Sequence, residues 1–263
     1  MVLGFNLTGF LLLFLPPLLY TWIIYVSSPY KSLTFKNSLK FFIGGLFSVI
    51  ILDTIGFFAP YWNNIYVCEP FWQQFWVTAP KEEISKFIMF LILFTGLKSK
   101  SKQHPVTYMF YMGMVGLGFA FIENTGYVSK FGFGVLKYRT FGAMLVHMIC
   151  GLLLGYWVGM SKIKKSKFKE RTISSIYLST RPNLKFILYA ITGLLTAICY
   201  HGLWNYHLAI FTPYAEPISI LMLMVGLLAC KLLFRDLTTQ YQKSLKLKTS
   251  ESLPSILDTY QED

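Results

Sequence analysis

The sequence from Ala79 to Phe90, APKEEISKFIMF, places two carboxylates and two lysines at the start of an otherwise apolar run. Pro80 suits the first turn of a helix, and Glu82 and Glu83 then lie in that turn, where the helix dipole favours anions. Lys86 follows Glu82 by four residues and Glu83 by three, so all three can meet on one side of the helix. A charged helix end that reaches toward the headgroups is one interpretation. A functional site is the other, because ionisable groups beside hydrocarbon are costly.

The composition around this stretch is that of a polytopic membrane protein. The 263 residues are 54% apolar and 18% aromatic, which excludes an ordinary soluble domain. Seven apolar runs are long enough, or nearly so, to span a bilayer. They cover approximately 6–26, 39–58, 82–97, 108–128, 140–160, 185–211 and 217–234. The sequence therefore predicts an all-α membrane domain of about seven transmembrane helices in residues 1–237, followed by a polar, mobile tail in 238–263.

The distribution of basic residues predicts the orientation of this domain. A formal net charge of +12 would suggest nucleic-acid binding in a soluble protein. Here lysine and arginine concentrate in alternate loops, at 31–40, 98–102 and 162–185, and in the tail, while the loop at 129–139 is an exception. The positive-inside rule then places the N-terminus outside and the tail in the cytoplasm. Topology explains the charge, so no nucleic-acid partner is expected.

Two other patterns shape the predicted bundle. The outer loop at 59–79 is rich in aromatic residues, which favour the headgroup level, and it is predicted to be an interfacial or re-entrant segment that can act as a lid. Its aromatic residues are Tyr61, Trp62, Tyr66, Phe71, Trp72, Phe75 and Trp76. Glycines in the fourth and fifth runs predict close helix packing. They are Gly113, Gly116, Gly118, Gly151, Gly155 and Gly159.

The predicted topology brings polar residues from several helices to the same depth near the outer side. They are Glu82, Glu83 and Lys86 on the third run, Glu123 on the fourth, Arg139 and His147 on the fifth, and His201 and Asn205 on the sixth. Asp53 on the second run is a weaker candidate. Such a mixture is not expected of scattered flanking residues, since the predicted cytoplasmic ends carry mostly lysine.

Hydrolysis by an activated water is the chemistry that this set suggests. Glu82 or Glu83, with Glu123 as a partner, could act as general base toward water. His201 and Asn205 could donate hydrogen bonds to a developing oxyanion. In a second variant a divalent metal such as zinc activates the water. The metal ligands would then be Glu83, Glu123, His147 and His201. Helix spacing leaves both variants open.

These residues also resemble the motifs of a known family. The segment Lys81–Lys86 resembles the EExxK motif of the PrsW family of intramembrane proteases, and Phe119–Asn124 resembles its FxxxE motif. Arg139 followed by His147 is similar to its Arg-to-His helix, and His201–Asn205 to its final HxxxD motif. Asparagine replaces the final aspartate, as in the wider superfamily of CAAX-type prenyl endopeptidases.

The resemblance implies a membrane-embedded protease of a bacterial cell membrane that cuts near the outer face of the bilayer. Its partners would be the lipid bilayer and a membrane protein substrate, such as a single-span anti-sigma factor. The alternative is a non-catalytic membrane scaffold or a proton- or ion-coupled transporter, because intramembrane carboxylates and histidines also form ion pathways.

Overall fold

The structure, a computed structural model, describes residues 7–27, 33–59, 69–97, 104–163, 182–210 and 215–258, and this part of the chain is all-helical. Each predicted apolar run coincides with one long helix. These helices are α1 (Leu7–Ser27), α2 (Phe35–Phe58), α3 (Ala79–Thr95), α4 (Val106–Phe131), α5 (Ala143–Ser161), α6 (Pro182–Ile210) and α7 (Ala215–Asp258).

Five segments in the described ranges are long and apolar enough to cross a membrane. They are Phe35–Phe58, Val106–Phe131, Phe133–Ser161, Leu184–Ile210 and Ala215–Lys246. The apolar part of α1 is shorter, at Leu11–Ile23. The chain is therefore an integral membrane protein with an all-helical fold, and the count of seven spans stays a prediction.

Helices α2 and α4 run parallel and come into backbone contact near their midpoints. Asn37 donates a hydrogen bond to the Tyr111 hydroxyl at 3.2 Å, and further along a Cβ at Gly45 would collide with the Val115 carbonyl oxygen. Glycine is required at this crossing because a side chain would force the two helices apart.

Helix α5 packs antiparallel to α4 through the predicted glycines. A Cβ at Gly151 would collide with the Met112 carbonyl, and one at Gly155 would lie 2.5 Å from the Met109 Cα atom. At the other end of α5, Gly116 faces the His147 backbone with no room for a methyl group. The close contact along α5 explains why α4 is buried from Val106 to Ala120.

The helical segment that contains α3 begins before the predicted run. A single α-helical turn (Pro70–Trp72) and a π-helical turn (Gln73–Thr78) lead directly into Ala79. Phe71 and Phe75 pack against Tyr206 of α6, with ring centroids 5.6 and 6.5 Å apart. The described part of the aromatic segment is thus helical and docked on α6. Its interfacial position and lid function stay predictions, and Tyr61, Trp62 and Tyr66 lie outside the described residues.

The chain reverses direction after α4, so that the segment before α5 packs against the end of α4. Gly132 adopts φ +76°, a conformation that suits glycine at a helix C-terminus. The chain then forms a 3-10 turn (Phe133–Val135) and a short helix (Leu136–Phe141) before α5 begins. This path returns Arg139 to the last turns of α4.

Helix α7 continues through the predicted domain boundary at residue 237 and ends at Asp258. Tyr156 of α5 donates a hydrogen bond to the Asp236 carboxylate at 2.7 Å, and Leu237 is fully buried beside Gly159. The first part of the tail is therefore a continuation of a packed helix. The mobility and cytoplasmic location of residues 238–263 stay predictions.

Candidate active site

The innermost part of the candidate site is an ion pair within α3. Lys86 Nζ donates a hydrogen bond to Glu83 Oε1 at 2.6 Å, and the two side chains are 1% and 0% exposed. They lie one helical turn apart, which is the spacing at which side chains meet on one face. The Phe119 ring covers the ammonium at 4.7 Å from its centroid. Burial of an ion pair requires such close partners on both charges.

His201 of α6 bonds to the same carboxylate. Its Nδ1 atom lies 2.7 Å from Glu83 Oε1. A carboxylate oxygen accepts, so Nδ1 carries the proton, and in a neutral imidazole Nε2 carries the lone pair. This Nε2 atom lies 3.7 Å from Glu82 Oε2. Glu83 therefore orients His201 so that its free nitrogen faces Glu82.

His147 of α5 connects Lys86 to Glu123 of α4. Lys86 Nζ lies 3.0 Å from His147 Nδ1, and His147 Nε2 lies 2.8 Å from Glu123 Oε2. An ammonium group can only donate, so Nδ1 accepts and Nε2 carries the proton that is donated to the carboxylate. The imidazole is buried, 2% exposed, and its ring meets that of His201 edge-on at 5.0 Å. Three helices are thus joined by one series of polar contacts.

Arg139 contacts the same carboxylate oxygen of Glu123 as His147 does. Its guanidinium makes an ion pair with Glu123 Oε2 at 2.7 Å and donates from Nε to Asn124 Oδ1 at 2.8 Å. It also stacks over the Tyr127 ring at 3.6 Å from the centroid. The planar guanidinium suits this combination of hydrogen bonding and stacking. The short helix before α5 brings Arg139 beside Glu123 because the chain reverses direction at Gly132.

Glu82 differs from its neighbour Glu83 in what it faces. Consecutive residues point about 100° apart on a helix. Glu82 borders two cavities, of about 320 and about 430 Å³, and Leu52 of α2 borders both as well. Glu123 lines the larger cavity. The Oε2 atoms of Glu82 and Glu83 are both buried without a hydrogen-bond partner among the described groups, so it is the cavity lining that distinguishes Glu82.

Seven of the predicted site residues form one connected group, named here the site cluster. It consists of Glu82, Glu83, Lys86, Glu123, Arg139, His147 and His201. Asn205 is half-buried one turn beyond His201, and within the described ranges its side chain makes no hydrogen bond to another residue. Asp53 is exposed and lines the smaller cavity beside Glu82.

Three side chains of the site cluster have the composition of a metal site. Donor atoms of Glu82, His147 and His201 lie within 4.8 Å of one another. Two imidazoles and one carboxylate are ligands of catalytic zinc sites, which keep another position open for water. The unpartnered Glu82 oxygen and the free Nε2 of His201 fit this use. His147 would need to exchange Lys86 or Glu123 for the metal, because both of its nitrogens are engaged.

This set differs from the ligands predicted from the sequence. The group contains Glu82 in place of the predicted Glu83, because Lys86 and His201 both bond to Oε1 of Glu83. Glu123 contacts the His147 imidazole instead of joining the group. A second possible group combines Glu83, His201 and the buried Cys150, which the sequence analysis did not single out.

The charge of the site cluster also favours a cation. Glu82, Glu83 and Glu123 face two permanent cations, Lys86 and Arg139, so the formal charge is negative when both imidazoles are neutral. An uncompensated buried charge is costly, and a bound proton or metal ion would offset it.

Some supporting residues were missed by the sequence reasoning. Asn124, the last residue of the quoted FxxxE segment, and Tyr127 follow Glu123 on α4, and both hold Arg139, a role that the sequence reasoning assigned to neither. Their spacing of three residues is a helical signal, but it shows no partner until the turn after α4 is known. Phe119 belongs to the quoted FxxxE segment, and its contact with Lys86 is visible only in three dimensions.

The fold and the site cluster together define an all-helical membrane protein with a buried carboxylate–imidazole centre beside a cavity. Residues 35–230 match the family described as PrsW family intramembrane metalloprotease. The matched region exceeds half of the chain, so the chain belongs to this family and is a membrane-embedded protease. The match contains the whole site cluster and confirms the resemblance seen in the motifs. Comparison with curated proteins and with solved structures gives no match.

Proposed function

We propose that the protein hydrolyses a peptide bond of a single-span membrane protein, using a water molecule activated between Glu82 and Glu123. The observation that carries this proposal is that both carboxylates line one cavity of about 430 Å³. Glu83 and Lys86, by contrast, are enclosed and bonded to each other. Carboxylates that reach a cavity can meet water and substrate, whereas enclosed ones can only position their neighbours.

Glu123 is the general base in this proposal. Arg139 and His147 both contact its Oε2 atom, which leaves Oε1 for a water molecule in the cavity. The ion pair with Arg139 fixes the carboxylate in place, and the hydrogen bond from His147 Nε2 restrains its rotation. A positioned carboxylate within hydrogen-bond reach of water supplies general-base catalysis.

Glu82, His147 and His201 would hold a divalent metal such as zinc in this proposal. Such a metal would act as a Lewis acid that makes a nearby water molecule more acidic. Glu83 accepts a hydrogen bond from His201 Nδ1, which keeps Nε2 directed toward Glu82. Carboxylate partners of this kind commonly orient histidine ligands. The donor set and the description of the family as metalloproteases favour this variant over metal-free catalysis.

The position of the site supports cleavage near one membrane face. Glu123 lies two turns before the end of α4, which is roughly 12 Å along the helix. Under the positive-inside rule this end faces away from the cytoplasm, with the N-terminus outside and the C-terminus inside. The family resemblance suggests regulated proteolysis of an anti-sigma-type protein in a bacterial cell membrane.

A reconstituted cleavage assay tests the proposal. Wild type, Glu82→Gln and the control Glu216→Gln are placed in liposomes with a panel of single-span reporters. Glu216 is exposed at the start of α7 and makes a matched control for loss of a carboxylate. Cleavage by wild type and the control, but not by Glu82→Gln, is expected. Intact reporters in all three samples would contradict a protease and favour a scaffold or transporter.

A further inference from the structure

The space beside the site cluster is a cleft between two helices that are in contact elsewhere. Helices α2 and α4 touch at Gly45 and Gly118, where a Cβ on either glycine would meet backbone atoms of the other helix. Beyond this crossing the cavity of about 430 Å³ separates them. The helices therefore diverge toward their C-terminal ends, and the cleft begins beside Glu82 and Glu123.

The walls of this cleft are single helical faces. On α2 the lining residues Val49 and Leu52 are three apart, and on α4 the lining residues Ile122, Glu123 and Gly126 repeat at helical spacing. The lining is mostly apolar except for the two carboxylates at its inner end and Lys130 and Tyr127 farther along α4. An apolar cavity with a few convergent polar groups is the usual form of a ligand site.

Gly126 is the position on this wall that has unused space in front of it. A Cβ built at Gly126 meets no atom within 4 Å, in contrast to Gly116 and Gly118 on the same helix, which are in backbone contact. Helix packing therefore does not require glycine at 126. Because glycine has no side chain, position 126 leaves free volume in the cavity one helical turn from Glu123.

We infer that the cleft binds the substrate peptide in extended form and that Gly126 selects for a large apolar side chain next to the cleaved bond. This inference rests on the proposed function and adds the specificity of the same site. Gly126 lies about 4.5 Å along α4 from Glu123, while an extended peptide advances about 3.3 Å per residue. The selected side chain is therefore within two residues of the cleaved bond.

The smaller cavity takes the peptide on the other side of the bond. It meets the larger one at Glu82 and Leu52, and its lining is more polar, with Gln73 and Thr78 from the π-helical turn before α3. The cavity of about 320 Å³ therefore accepts smaller or polar residues. The two cavities together give the substrate a direction relative to Glu82.

The first test compares reporters that differ in one residue. After the cleaved bond is mapped by mass spectrometry, phenylalanine or alanine is placed at each of the two positions on either side of it. The measured quantity is the cleavage rate of the phenylalanine reporter divided by that of the alanine reporter. Gly126→Phe is expected to lower this ratio by about 10-fold or more at one of the reporter positions. Gly134→Phe is the matched control, because a Cβ at Gly134 also meets nothing within 4 Å but lies outside the cleft. It should keep the wild-type ratio.

An unchanged ratio in Gly126→Phe would overturn the inference, and the absolute rates then separate two cases. With wild-type rates for both reporters, the cleft does not hold the side chain. With an equal loss for both reporters, Gly126 acts in folding or chemistry and not in selection. If the phenylalanine variant does not insert into the membrane, Gly126→Val is measured by the same ratio and judged by the same criteria.

A second test measures binding without cleavage. A reporter with a photoreactive residue beside the cleaved bond, or scanned through its span, is irradiated with the Glu82→Gln protein. Adducts on residues 119–131 of α4 are expected, and adducts only elsewhere would overturn the cleft as the binding site. If wild type cuts no reporter yet adducts form on α4, the proposed function fails and the binding cleft remains.

Discussion

His201 donates a hydrogen bond from Nδ1 to Glu83 Oε1 at 2.7 Å. The preceding residue on α3, Glu82, lies with its Oε2 atom 3.7 Å from the other ring nitrogen. One imidazole therefore separates the roles of two adjacent glutamates. Glu83 holds the ring in one orientation, and Glu82 borders the two cavities. The sequence EE provides both because neighbouring helical residues point in different directions.

Glu82→Gln and Glu83→Gln are expected to fail for different reasons. Glu82→Gln should reduce cleavage by roughly 100-fold or more with little change in stability, because its carboxylate would hold the metal beside the activated water. Glu83→Gln should also destabilise the protein by about 3–5 kcal/mol, because Lys86 loses its buried counter-charge. Thermal unfolding in detergent, measured beside the cleavage rate, separates the two effects. Equal stability losses in both variants would contradict this division of roles.

The Glu83–Lys86 pair should show strong coupling in a double-mutant cycle. Lys86→Met leaves Glu83 as an uncompensated buried charge, and Glu83→Gln leaves Lys86 in the same condition. The double variant Glu83→Gln/Lys86→Met removes both charges, so it should be destabilised by less than the sum of the single variants, by about 1–3 kcal/mol. Additive losses of unfolding free energy would show that the two charges do not compensate each other.

Bound metal is expected at one equivalent of a divalent ion per chain. Glu82→Ala and His201→Ala should each lose it, because each removes one donor of the three-residue group, while Glu216→Gln should retain it. Elemental analysis of protein purified without chelator measures the content directly. Treatment of wild type with chelator should abolish cleavage, and re-addition of zinc should restore it. Full activity of metal-free protein would establish the metal-free glutamic variant instead.

The positions of the helices could be predicted from the sequence because their signals are local. Apolar length predicted the long helices, and the glycines at 151 and 155 predicted the contact with α4 that the structure contains. The start of the α3 segment was missed. Gln73–Thr78 is polar and aromatic, so it shows no apolar run, yet it is helical back to Pro70 because Phe71 and Phe75 dock on α6.

The site could be predicted as a set of residues but not as a geometry. Motif order and helix direction indicated the depth of Glu82, Glu123 and His201. Which glutamate faces the cavity depends on helix rotation, and that is set by packing partners far apart in sequence. Asn205 shows the same limit. Its spacing of four from His201 suggested a shared helix face, yet its side chain makes no hydrogen bond to the site cluster in the described ranges.

Arg139 should control the position of Glu123 and not the chemistry itself. Arg139→Lys keeps a positive charge but loses the planar contacts to Asn124 and Tyr127. We expect cleavage to fall by about 10-fold, with Arg139→Gln lower still, since the ion pair is then absent as well. Lys137→Gln is the matched control, because Lys137 is an exposed cation on the same short helix. Equal activity of Arg139→Gln and wild type would remove Arg139 from the positioning of Glu123.

A larger residue at Gly116 should disturb both the packing of α4 against α5 and the site cluster. A Cβ at Gly116 would collide with the carbonyl oxygen of His147, so Gly116→Ala must move the α5 turn that carries this imidazole. Overpacking of this kind costs about 1–3 kcal/mol, and the shift should also separate His147 from Glu123 and reduce cleavage. Gly134→Ala adds the same methyl group where no atom lies within 4 Å, so it should change neither property. Thermal unfolding and cleavage are measured for both variants. A Gly116→Ala protein with wild-type stability and activity would show that α4 and α5 can separate at this point without disturbing the site.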